Sequence, residues 1–239
     1  MRILLLALAV SGSALSAAQA QSVIGKGTGL LTGTVGYHTD TDEVSRSGSG
    51  YGGGGPSSST ITYGTFKLDI AVGGFVADNL ALGLQLSHTV TGGSFKSSGN
   101  NFPQSGPPTS TTFRVGPVVQ YYKMLGEQFG LTATLGAGYE SDVRRTAQYY
   151  VTQYGYPMTY YTNLKATGYY AALTPGIVFF PVPKFGLTAT MGSLGYNRLT
   201  VKDNNQTGSN TTDETSSSFD AGFGFSQLQF GATYYFGRK

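Results

Sequence analysis

The chain of 239 residues has no cysteine, and only 11% of its residues are charged, where a soluble domain has about 25%. Without cysteine there can be no disulfides, no thiolate metal site and no lipid anchor on an N-terminal cysteine. With so little charge, there is little to cover a water-facing surface. The net charge of +3 makes no basic field, so nucleic acid is not an expected partner. Beyond residue 20 no apolar run approaches the roughly 20 residues that a spanning helix needs. A sustained 3.6-residue period is also missing, because Gly and Thr interrupt nearly every apolar stretch.

Residues 1–20, MRILLLALAVSGSALSAAQA, combine a positive charge at Arg2, an apolar run from Ile3 to Val10 and the small-residue pattern Ala18-Gln19-Ala20. That is the layout of a secretory signal peptide. The expectation is export, cleavage after Ala20 and one domain over 21–239.

What the sequence has in abundance is two-residue alternation. In FGLTATLGAGYE (129–140) Phe129, Leu131, Ala133, Leu135, Ala137 and Tyr139 alternate with Gly, Thr and Glu140. Leu80, Leu82, Leu84 and Leu86 repeat the pattern, as do Phe66, Leu68, Ile70 and Val72. This predicts eight strands, near 28–38, 61–76, 80–91, 111–125, 129–140, 164–180, 185–197 and 217–236. Short turns at 77–79, 126–128 and 181–184 alternate with long polar segments at 39–60, 92–110, 141–163 and 198–216, which read as loops. On strand eight, Phe219, Ala221, Phe223 and Phe225 are odd-numbered but the apolar positions from Leu228 to Phe236 are even. Either a bulge at Ser226-Gln227 switches the face, or a tight turn there adds a strand.

The second face decides where water is. A soluble barrel hides Leu and Phe and shows Lys, Glu and Asp outside; here the second face carries Gly, Thr and Ser. Five charged residues fall well inside strands: Lys67, Asp69, Arg114, Glu140 and Asp220. All five share the small, polar parity, which predicts a polar network in the interior and lipid outside. An open sheet edge does not survive in hydrocarbon, so the sheet must close. The expected fold is all-β: a closed eight-stranded antiparallel up-and-down transmembrane β-barrel. A three-residue turn at 126–128 pairs Leu125 with Phe129 and, carried up the hairpin, Arg114 with Glu140.

The segments FKLDIAVGGFVADNLALGLQLSH (66–88), RVGPVVQYYKMLGEQFGLTATLGAGYE (114–140) and FGATYYF (230–236) resemble the small bacterial outer-membrane β-barrel proteins of OmpX or OmpW architecture. The resemblance implies the outer membrane as location and its lipids as surroundings. The last strand, with Leu228, Phe230, Ala232, Tyr234 and Phe236 on one face, is similar to the terminal signal read by the barrel-assembly machinery. It departs from that signal in continuing through Gly237-Arg238-Lys239.

Catalytic and metal chemistry find little support. His38 is followed by Thr39-Asp40 and His88 by Thr89-Val90, and neither has the Ser two positions on that a lipid A deacylase type of site uses. Asp40, Asp42 and Asp142 share the outer side with no spacing that marks a protease, and Asp40, Asp42 and Glu43 read as a solvated loop. Gly52 to Gly55 precede no helix, so no phosphate loop is indicated. Tyr149, Tyr150, Tyr154, Tyr156, Tyr160 and Tyr161 form either a recognition surface or an extended hairpin. The expectation is no enzyme and no cofactor, but a structural or surface-interaction role, with a narrow channel for small or hydrophobic solutes as the alternative. A surface ligand or small solute is the partner left open.

Overall fold

The computed structural model describes residues 23–46, 57–98, 109–151, 157–202 and 214–238; the expected signal segment lies outside them. The strands are β1 (Gly29–Arg46), β2 (Ser57–Ala77), β3 (Leu80–Ser98), β4 (Thr109–Met124), β5 (Phe129–Val151), β6 (Pro157–Val182), β7 (Phe185–Met191), β8 (Ser193–Lys202), β9 (Glu214–Gly222) and β10 (Leu228–Phe236). Antiparallel pairing runs β5-β4-β3-β2-β1-β10-β7-β6, and β5 pairs with β6, so eight strands close into a ring. No described helix is long and apolar enough to cross a membrane.

Two of the eight expected strands are interrupted. The seventh breaks at Gly192 into β7 and β8, which pair in turn with the lower and upper parts of β6. The eighth is interrupted by a single 3₁₀ turn at Phe225–Gln227 between β9 and β10. The interruption is neither of the simple alternatives, bulge or hairpin. β9 pairs with β8 and β10 with β7, so the chain keeps its direction while its apolar positions change parity. Gly192 has φ +84°, the left-handed region that glycine enters without steric cost. A Cβ there would also collide with the Gly222 carbonyl and stand 2.7 Å from the Phe223 Cα. The two interruptions thus lie against each other.

The long polar segments are not simply loops. Pairing continues from Gly29↔Gly74 to Arg46↔Ser57, and from Phe129↔Phe179 to Val151↔Pro157. Thr and Tyr favour extended backbone, and a hairpin already in register needs only further ladder bonds to lengthen. The short turns lie where expected; the first is Asp78-Asn79, with Asn79 at φ 61°, a value asparagine tolerates.

The side chains alternate as the composition requires. Leu84, Leu135, Val72 and Tyr37 are exposed, whereas Asp69, Glu140, Ser87 and Gln120 are buried. Apolar side chains clothe the ring, and polar ones fill it above a buried apolar cluster at the short-turn end.

Candidate functional site: the barrel interior

The interior is stacked in layers. At the short-turn end Ile24, Phe75, Tyr122, Val178, Phe180 and Tyr235 form a buried cluster. Phe75 packs against Tyr122 with ring centroids 5.4 Å apart, and Phe180 against Tyr235 at 5.2 Å. Ile24 belongs to a segment that passes under the barrel. It is pinned by Ile24 N–H to Asn79 Oδ1 and Asn79 N–H to the Ile24 carbonyl, both 2.9 Å. Gly186 is what admits the rings, since a Cβ there would stand 3.1 Å from Tyr235 and 3.3 Å from Phe180. Arg238, which follows the last strand, folds back with its guanidinium 4.0 Å from the centroid of Phe180.

Above this cluster, Thr32 and Thr233 share a hydrogen bond of 2.8 Å, and the Tyr122 hydroxyl donates to Gln120 Oε1 at 3.1 Å. The next layer is ionic. Antiparallel register places Thr34, Asp69, Ser87, Arg114 and Glu140 in one row across β1 to β5. Arg114 donates twice to Glu140, Nε to Oε2 at 3.0 Å and Nη2 to Oε1 at 3.2 Å. Its guanidinium also lies 5.0 Å from the Tyr170 ring centroid. Lys67 Nζ is 3.3 Å from Asp69 Oδ2, while Asp69 Oδ1 is buried with no partner among the described residues. Two cations and two carboxylates balance. The space left between these layers is a cavity of about 90 Å³, room for a handful of waters.

Asp220 does not join the other four. It is exposed on β9, and its Oδ2 accepts from the Ser218 hydroxyl at 3.1 Å. The reason is the pairing of the two chain ends. β10 pairs with β1 only from Gly29↔Phe236 to Val35↔Phe230. Above that level β1 pairs with β2 alone and β9 with β8 alone, leaving a side gap between β1 and β9. A second cavity of about 230 Å³ opens there, lined by Gly36, His38, Lys67, Gln227 and Gln229 among others.

Of the five charges that parity places inside, Lys67, Asp69, Arg114 and Glu140 lie together, and Tyr170, an inward position by the same parity, lies beside them two pairs below the row. Thr34 and Ser87 complete the row and were within reach of register arithmetic. His38 Nε2 lies 2.8 Å from Asp40 Oδ2, two residues on along the same strand. Asp142 accepts instead from Arg144 at 2.7 Å and Thr112 at 3.0 Å. Among the described residues no group of three His, Asp or Glu side chains is placed to hold a metal. Of the expected tyrosine surface, Tyr161 is exposed. The backbones of Tyr149, Tyr150 and Tyr160 lie in the β5–β6 ladder, and Tyr154 and Tyr156 lie outside the described residues.

A closed ring with an apolar exterior and a charged, hydrogen-bonded interior defines a transmembrane β-barrel of the outer-membrane type. No family model and no curated protein matches the chain in sequence. Among solved structures it is similar to the outer membrane protein OprG from Pseudomonas aeruginosa, at 12% identity and TM-score 0.46, over 89% of this chain and 97% of that one. It is also similar to the outer membrane protease OmpT from Escherichia coli, at 11% identity and TM-score 0.37, over 90% and 98%. Neither likeness is strong enough to say what this chain does.

Proposed function

We propose that the protein is an integral outer-membrane barrel, exported by its 1–20 leader, which presents long hairpins at the cell surface and does not conduct solutes through its axis. The observation that carries this reading is the length of the β5–β6 hairpin. The outward side chains of β5 are apolar at every position from Phe129 to Tyr139, and beyond them come Ser141, Val143 and Arg145. At about 3.4 Å per residue and a tilt near 45°, the apolar segment rises about 25 Å, the height of the apolar band of such barrels. Pairing nevertheless continues to Val151↔Pro157, so about half of the hairpin stands clear of the lipid. A ladder continued into water has no role in spanning; it presents a surface.

The interior supports the second half of the proposal. The aromatic cluster and the ion-paired row lie across the axis one above the other, and eight strands enclose little more than their own side chains. In planar bilayers the purified protein is expected to show no steady conductance, and stable open-channel currents would overturn the reading. The gap between β1 and β9 favours a second reading, in which a small solute enters the outer cavity from the side. Uptake into proteoliposomes without axial conductance would favour it.

A further inference from the structure

The outward face just above the aromatic girdle is uneven in charge. At the girdle, Tyr139, Tyr169 and Tyr196 are exposed on β5, β6 and β8. The same face of these three strands carries Arg198 level with the girdle and Lys165 and Arg145 beyond it, all exposed. The positions are fixed by register: Tyr169 pairs with Arg198, Val143 with Lys165, and Lys165 with Lys202.

Two features point to an anionic occupant. First, none of Arg145, Lys165 and Arg198 has a carboxylate within ion-pair distance among the described residues, whereas Lys67, Arg114 and Arg144 each have one. Second, their outward neighbours Ser141, Val143, Tyr161, Asn163, Thr167 and Thr200 include no Asp or Glu.

Height identifies the source of the anion. Lys165 is four residues beyond Tyr169, about 10 Å along the membrane normal at a 45° tilt. Arg198 is level with the girdle and Arg145 stands about 14 Å above it by the same arithmetic. A phospholipid headgroup layer is only about 5–8 Å thick. The patch therefore spans more than one phosphate group and suits a taller, sugar-bearing headgroup, with exposed tyrosines beneath it whose rings sit well at the interface.

We propose that Arg145, Lys165 and Arg198 form a binding site for the phosphorylated headgroup of an outer-leaflet glycolipid. The inference rests on the proposed placement of the barrel in the outer membrane with its long hairpins outermost. The refolded protein in detergent is mixed with equal amounts of lipid A and its dephosphorylated form, and retained lipid is measured by native mass spectrometry. The phosphorylated form is expected to be retained about tenfold or more over the other. The variant Arg145→Gln/Lys165→Gln/Arg198→Gln should lose that preference, while Lys96→Gln, outward on β3 and away from the patch, should keep it. Millimolar inorganic phosphate should not displace the lipid. Equal retention of the two lipids, an unchanged preference in the triple variant, or full displacement by free phosphate each overturns the proposal. Insertion into vesicles, read from heat-modifiable migration on gels, is measured first. Failure to insert would defeat the membrane reading itself, whereas insertion without selectivity defeats only the lipid site.

Discussion

Arg114 on β4 and Glu140 on β5 face each other inside the barrel, joined by two hydrogen bonds of 3.0 and 3.2 Å. This fork-to-fork geometry is the strong form of a carboxylate–guanidinium contact. Glu140 is only 3% exposed, so removing its partner leaves a desolvated charge. Arg114→Ala should destabilise the barrel by about 2–4 kcal/mol, and Glu140→Ala by somewhat less, because Arg114 keeps access to water. A double-mutant cycle by urea unfolding in lipid vesicles should give a coupling of about 1 kcal/mol or more. Additive effects would mean that the contact contributes nothing of its own.

The exterior should be intolerant of charge. Leu84 and Leu135 are 62% and 50% exposed, and both point out from the middle of the apolar band. Leu84→Arg or Leu135→Arg should cost about 2–4 kcal/mol near the midplane. Thr132→Arg, on the inner face of the strand that carries Leu135, acts through crowding and should respond to shrinking the side chain, not to bilayer thickness. Wild-type folding of Leu135→Arg into vesicles would reverse the assignment of inside and outside.

Gly192 should resist substitution for two reasons. Its φ of +84° disfavours any side chain, and a Cβ would collide with the Gly222 carbonyl. Gly192→Ala should destabilise by about 1–3 kcal/mol. Gly195→Ala is the comparison, since a Cβ there meets nothing closer than 4.0 Å; equal effects would show that the left-handed backbone is not what matters.

Orientation is checked on intact cells. The short turns Asp78-Asn79 and Pro183-Lys184 share one end of the barrel with Arg238, and the long hairpins rise from the other. Protease added outside should cut within 39–60, 92–110, 141–163 or 198–216 and leave the short turns intact. Cleavage of these segments only after the outer membrane is breached would mean that the barrel is inserted the other way.

Much of the wall could be read from residue order. Two-residue alternation is a local property, so Leu135 out and Thr134 in follow from neighbours alone, and the turn at 126–128 carries the Arg114–Glu140 register with it. The composition of the second face, Gly and Thr in place of Lys and Glu, is also local, and it fixes which side meets lipid. Strand ends were not legible. Polar segments such as 141–151 look like loops by composition, yet they extend a ladder whose partner is already held opposite. The fate of Asp220 was not legible either. Its parity marks it as inward, but parity does not tell whether another strand pairs beside it. That was decided when β10 met β1 for only seven residue pairs and Gly192 settled against Gly222, leaving β9 unpaired on the side facing β1. Sequence determines what each strand can show to lipid and to water, because side-chain direction is set residue by residue; only the closed ring decides which strands meet, because that depends on register between distant parts of the chain.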